Sequence, residues 1–219
     1  MKLSKEQIQQ IELYLTDKGL KYIDIRYEVL DHMVTDIEKF MNLEELSFQE
    51  AFNKVKVKWI RSFVDESSLW FGPAENGPKI FVDNYVRIYK SYILKILIPT
   101  LIIVYSMDYL FNHFFVFQFN YDKEVLIVLY TTVLLNIGII LYWYFQIKKT
   151  KLQTSFSFIF AKKVLPIVLV LLYLVGFLHV SMHYYRLIII GFIFSIWSGS
   201  QLYKNHIKSV SLYSSISTK

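Results

Sequence analysis

VLIVLYTTVLLNIGIILYWYFQIKKTK, residues 125–151, is an apolar run that ends at Lys148, Lys149 and Lys151. From Val125 to Phe145 it carries no charged side chain. At about 1.5 Å per residue, a helix of that length crosses a hydrocarbon core of about 30 Å. Runs of similar character lie on either side of it. They cover about Ile96 to Phe117 (with Pro99 one turn in), Val164 to Val180, and Leu187 to Tyr203. Tyr142-Trp143-Tyr144 and Tyr184-Tyr185 sit at span ends, where amphipathic rings favour the headgroup level. The expectation is a multi-pass membrane protein with four helical spans.

Charge then orients the spans. Arg87, Lys90 and Lys95 approach the first span, and Lys148, Lys149, Lys151, Lys162 and Lys163 lie around the loop between the second and third. Lys204, Lys208 and Lys219 follow the fourth, whereas the opposite side carries only Lys123 and Arg186. Basic loops stay in the cytoplasm, so both termini are expected inside, in a bacterial inner membrane.

Composition divides along the chain in the same way. It is 54% hydrophobic and 18% aromatic, with a net charge of +6. Met1 to Lys79 is net −3 and the remainder net +9, so the basic balance belongs to the membrane half. A net-negative N-terminal domain repels phosphate, which excludes nucleic acid as its expected partner. There are no cysteines, which removes disulfides, thiolate metal sites and cysteine nucleophiles. The N-terminus lacks the apolar core of a signal peptide.

Before the spans the pattern becomes amphipathic. Ser4-Lys5-Glu6-Gln7 has capping-box spacing, Ile8, Ile11 and Leu15 recur at helical intervals, and Gly19 is a natural stop. A second helix is expected over about Tyr22 to Met41, with Ile25, Val29, Met33, Ile37 and Phe40 as its apolar stripe. Ser47-Phe48-Gln49-Glu50 opens a third, with the stripe Ala51, Phe52, Val55, Trp59 and Phe63. Gly72-Pro73 and Asn76-Gly77-Pro78 break the helical pattern between Glu66 and Lys79. Leu69-Trp70-Phe71 either touches the bilayer surface or caps the bundle. Ile80 to Tyr92 resumes helical spacing as an interfacial helix or a continuous lead into the first span.

The fold class expected is all-α, with a cytoplasmic three-helix N-terminal bundle preceding a four-helix transmembrane bundle. The divisions are 1–65 for the bundle, 66–91 for a linker and interfacial helix, 92–205 for the spans and 206–219 for a cytoplasmic tail.

The order of a helix, a Gly turn, a helix with Glu28, Asp31 and His32, then Ser47 to Ala51 opening a third helix resembles the HAAS-type module over about residues 4–60. In that family a small helical domain precedes membrane spans, often in bacterial proteins associated with PadR-type regulators. Where the family usually turns at Gly-x-Pro, this chain continues Lys56-Val57-Lys58-Trp59. The resemblance implies a regulatory or interaction role rather than catalysis.

Few residues suggest chemistry. His113, His179 and His183 fall near the expected external face, with His179 and His183 at i, i+4 on one helical face. Together with Asp108 they are the candidate metal ligands, for zinc or another divalent ion, or a titrating group. Histidines, like tyrosines, also simply suit the headgroup region. Asn136, with Gly191, Ser195, Ser198 and Gly199, reads as helix-packing polarity rather than a pathway. No nucleophile elbow, phosphate loop or zinc-helix motif occurs, so neither an enzyme nor a cofactor is expected.

The function expected is therefore a membrane-anchored regulatory or signalling scaffold, in contact with the lipid bilayer and with a protein partner, and possibly homo-oligomeric. Glu28, Asp31 and His32 on the second helix and Lys54, Lys58 and Arg61 on the third are its candidate partner-binding residues. The alternative is a small transporter or channel subunit working as an oligomer.

Overall fold

The computed structural model describes residues 2–114, 123–176 and 184–217. It is mostly helical, and four helical stretches are long and apolar enough to cross a membrane: Lys79–Met107, Ile127–Lys149, Ser155–Leu174 and Arg186–Ser215. The chain is a membrane protein. It divides into two compact units. One contains Met1–Ile88, Leu152–Ser155 and Ser209–Lys219; the other contains Tyr89–Lys151 and Phe156–Lys208.

The first unit is built on α1 (Lys5–Asp17), α2 (Ile23–Leu43) and α3 (Phe48–Trp59). Both capping boxes form. The Ser4 hydroxyl accepts from the Gln7 amide at 3.3 Å, and the Gln7 side chain accepts from the Ser4 amide at 2.8 Å. Ser47 and Glu50 repeat the pattern at the head of α3. Each box satisfies amides that an isolated helix start leaves unbonded. Gly19 ends α1 at φ +81°, a left-handed conformation that glycine adopts without Cβ strain. The three stripes meet as their spacing requires: Ile11, Leu15, Val29, Met33, Ile37, Ala51 and Val55 are all fully buried. Tyr14 closes one side, with its ring edge-on to Phe52 and Phe63. Phe40, expected in the α2 stripe, is only partly covered.

Beyond α3 the structure departs from an all-helical linker. β1 (Asp65–Ser68) and β2 (Gly72–Pro78) form a two-stranded antiparallel hairpin, with Asp65 opposite Pro78 and a bulge between Glu66 and Ser68. The Gly and Pro residues do end the helical pattern, but two isolated strands tolerate them because no further strand needs the missing donors. The hairpin is pinned from the next helix. Phe71 is buried and packs edge-on against Phe81 and Tyr85 of α4 (Lys79–Tyr92). Leu69, two residues earlier, is 89% exposed. The apolar tip therefore splits, with Phe71 capping the core and Leu69 facing out.

The second unit begins where α4 leaves the first. A single turn of π-helix, Ile93–Leu97, leads into α5 (Ile98–Phe114), and α6 (Lys123–Lys149) carries the next span. A short α7 (Ser155–Ile159) passes through a second π turn, Phe160–Val164, into α8 (Leu165–Gly176). The last helix, α9, runs from Tyr184 to Ser217, so the segment read as a tail is helical to that point. Both π turns have the same cause. Pro99 has no amide to give the Lys95 carbonyl and its ring crowds that carbonyl; Pro166 stands in the same relation to Lys162. In each case the residue before the proline donates five residues back, Ile98 to Ile93 and Leu165 to Phe160. The helix widens by one residue instead of breaking.

Small residues set the packing of the spans. A Cβ built on Gly199 would lie 3.1 Å from the Trp143 ring, and one on Gly191 would lie 3.0 Å from Leu171. Asn136 is fully buried; its amide donates to Ser195 Oγ at 3.0 Å, and Ser195 donates to the Phe192 carbonyl at 3.0 Å. Lipid cannot satisfy an amide, so this pair fixes the rotation of α6 against α9.

Gly199→Leu must displace Trp143 and is expected to lower stability by about 1–3 kcal/mol. Gly138→Leu, where a new Cβ meets nothing within 4 Å, is expected to be neutral. Thermal unfolding of the purified proteins in detergent checks the contrast.

Candidate functional site

The side chains best placed to meet another molecule lie in the first unit. A groove of about 320 Å³ opens between α2, the end of α3 and α4. Glu28 and His32 enter it from α2, one helical turn apart, and Trp59 from α3. Asp83, Asn84 and Arg87 form the α4 wall. Ile25, Val29 and Ile80 make its floor, continuous with the core below. Glu28, His32, Asp83 and Arg87 are exposed, so the charged heads rim an apolar base. The His32 and Trp59 rings lie nearly parallel with centroids 6.4 Å apart, and Arg87 reaches Asn84 Oδ1 at 3.5 Å. Chemically, the groove offers two carboxylates and an indole face, which suits an incoming cationic side chain beside an apolar one.

The other candidate contact residues are placed differently. Asp31 is exposed outside the groove, and its carbonyl accepts from the Thr35 hydroxyl at 2.9 Å. Lys58 pairs with Asp36 at 2.6 Å, and Lys54 pairs with Glu44. The acidic face of α2 and the basic face of α3 are thus partly committed to each other, in exposed pairs that contribute little to stability. Arg61 sits exposed in the 3-10 turn that follows α3.

A second feature of this unit had no sequence signal. Asp24, in the first turn of α2, accepts from the Ser155 amide at 2.9 Å and also from the Ser155 hydroxyl. The Ile23 amide donates to the Gln153 carbonyl at 2.9 Å alongside it. The α2 start therefore holds the segment 152–155, which follows a span more than 100 residues later in sequence. Tyr27 of α2 meets Tyr213 edge to face, with centroids 5.1 Å apart. Burial holds the Asp24 carboxyl above the usual carboxylate range, against the opposing hydrogen bonds from Ser155. Tyr22 stacks on Phe81 at 4.2 Å, and its phenol is pushed up to about 12, first by burial and then by the charges of Glu75 and Asp24.

Of the candidate metal ligands, His179 and His183 lie outside the described residues. His113 is exposed and stacks on Tyr109 at 4.4 Å. Asp108 falls within α5. Among the described residues no three His, Cys, Asp or Glu side chains converge as a metal site. The remaining histidine, His206, is fully buried in the second unit, with its Nε2 3.0 Å from the Thr150 hydroxyl. No family model, curated protein or solved structure matches this chain.

A carboxyl raised in the folded state keeps a proton that the unfolded chain has already lost. Stability linked to Asp24 is therefore greatest at low pH and declines as pH rises from the unfolded value, about 3.9, through the raised one. The difference in thermal midpoint between wild type and Asp24→Asn is expected to shrink across that window. A difference constant with pH would contradict the assignment.

Proposed function

We propose that this chain is a non-enzymatic, regulatory or scaffolding protein of the bacterial inner membrane, with its N-terminal helical domain, a three-helix bundle extended by the hairpin and α4, in the cytoplasm. The groove between α2, α3 and α4 docks a protein partner, with Glu28, Asp83 and Trp59 receiving a lysine or arginine of that partner. The observation that carries this reading is the groove itself. It has an apolar floor, two exposed carboxylates and an exposed histidine on a domain that the spans tether to the bilayer. The net −3 charge of residues 1–79 favours a basic partner surface. The resemblance to HAAS-type modules supports the same class of role. The positive-inside distribution of lysine and arginine supports the cytoplasmic orientation.

A photo-crosslinking residue at Asn84 in the full-length protein, used in native membranes, tests the reading. The expected product is a crosslink to a lysine- or arginine-bearing segment of another protein, reduced at least tenfold by Glu28→Lys with Asp83→Lys, because like charge at a docking site repels by several kcal/mol. Crosslinks only to lipid or to second copies of the chain, or a yield unchanged by charge reversal, would overturn it. Ion or solute flux through reconstituted liposomes would instead favour the oligomeric transporter.

A further inference from the structure

The hairpin of the first unit carries an exposed apolar tip. Leu69 is 89% exposed, and Trp70 beside it is exposed too. Leu13, Leu43, Val57, Ile60 and Val64 are also exposed in this unit, but each has a charged residue next to it in sequence. Such charges hold water beside the apolar atoms. Ser67 to Gly72, by contrast, carries no charge. The turn is also closed internally: the Phe71 amide donates to the Ser68 carbonyl at 3.0 Å, and the Trp70 amide to the Ser68 hydroxyl at 3.3 Å. A tip of this kind leaves water at little cost, because no charge is stripped and those amides keep their partners.

The hairpin also runs along the helix that leads into the first span. Its base lies at the head of α4, where the Lys79 amide donates to the Val64 carbonyl at 2.9 Å. Its tip lies further along the same helix, since the Phe71 and Tyr85 rings meet edge-on with centroids 5.1 Å apart. From base to tip the strands therefore follow the direction of α4. That helical stretch is continuous from Lys79 to Met107 and is one of the four apolar enough to cross a membrane. Lys95 is the last charged residue before its apolar run and belongs at headgroup level. Tyr85 precedes Lys95 by ten residues, about 15 Å of helix. The bilayer that the spans cross is thus a surface within reach of the tip.

We propose that Leu69 and Trp70 enter the headgroup layer of the bilayer, which makes the hairpin a lipid-contacting anchor for the first unit. Leu69 supplies the apolar contact, and the Trp70 ring takes the interfacial level that indoles favour. Phe71 holds the hairpin to α4 from the core side. The anchor uses none of the groove residues and does not rest on the partner reading.

The chain has no cysteine, so a single introduced one reports its own position. Full-length Leu69→Cys carries a nitrobenzoxadiazole label; Leu43→Cys, 72% exposed in the same unit, is the control. Each is reconstituted into vesicles of phosphatidylcholine and phosphatidylglycerol, with and without a lipid spin-labelled close to its headgroup. The label at position 69 is expected to be quenched and blue-shifted, and the label at position 43 neither. A label at Ser67→Cys should also be quenched, and adding Leu69→Asp to that chain should release it while the label itself stays the same. Leu69 is exposed, so this variant leaves the core intact. An unquenched label at position 69 would overturn the proposal and leave the tip to a protein partner. Equal quenching at position 43 would overturn it too, because the whole domain would then lie on the bilayer. So would quenching at position 67 that survives Leu69→Asp.

Discussion

The hydrogen bonds from Ser155 to Asp24, with that from Ile23 to Gln153 beside them, impose the constraint on which the topology depends. They join the start of α2 to the turn between the second and third spans. Tyr27 and Tyr213 join the same helix to the end of α9. Three stretches separated by pairs of spans therefore close into one compact unit. A chain that crosses lipid can bring such stretches together only if they emerge on the same face. Four spans satisfy this, since each pair returns the chain to the side it left. Hydrogen bonding requires one face; the lysine distribution supports the proposal that this face is the cytoplasmic one.

Within the membrane unit the forces differ, because hydrocarbon provides no hydrophobic drive between helices. Contact comes from shape and from polar groups that lipid cannot satisfy. Gly199 lets Trp143 approach, and Asn136 with Ser195 fixes rotation at a fully buried position. Pro99 and Pro166 each follow a π turn that ends two residues earlier, with a lysine four residues before the proline in both cases. The first and third spans thus share one local device. In the third span it adjoins an apolar groove lined by Leu141, Phe145, Pro166 and Leu169.

Much of this was legible from residue pattern. The capping boxes at Ser4 and Ser47, the stop at Gly19 and the stripes of α1 to α3 are local signals, and local hydrogen bonding makes them reliable. The spans follow from length and hydropathy for the same reason. The pairing of Asn136 was foreseen in kind, though its partner needed the fold. What escaped was non-local. Asp24 reads as one more acid on a polar face, and nothing near it in sequence points to Ser155. The hairpin over 65–78 was hidden because Asp-Glu-Ser-Ser and a Gly- and Pro-rich stretch are poor strand formers, held by Phe71, Phe81 and Tyr85 rather than by propensity. Asp83 was passed over, and Arg87 counted only towards orientation, because Ile80 to Tyr92 read as an interfacial helix or a lead into the first span.

The account stands most directly on the three stretches sharing one face, and the absence of native cysteine makes that measurable. Single cysteines replace Ser67 and Gln153, both exposed in the first unit, and Asn120, which lies in sequence between the first and second spans. A membrane-impermeant maleimide is then applied to right-side-out and inside-out vesicles. The account predicts labelling of positions 67 and 153 only in inside-out vesicles and of position 120 only in right-side-out ones. Labelling of positions 67 and 153 from opposite faces would contradict it.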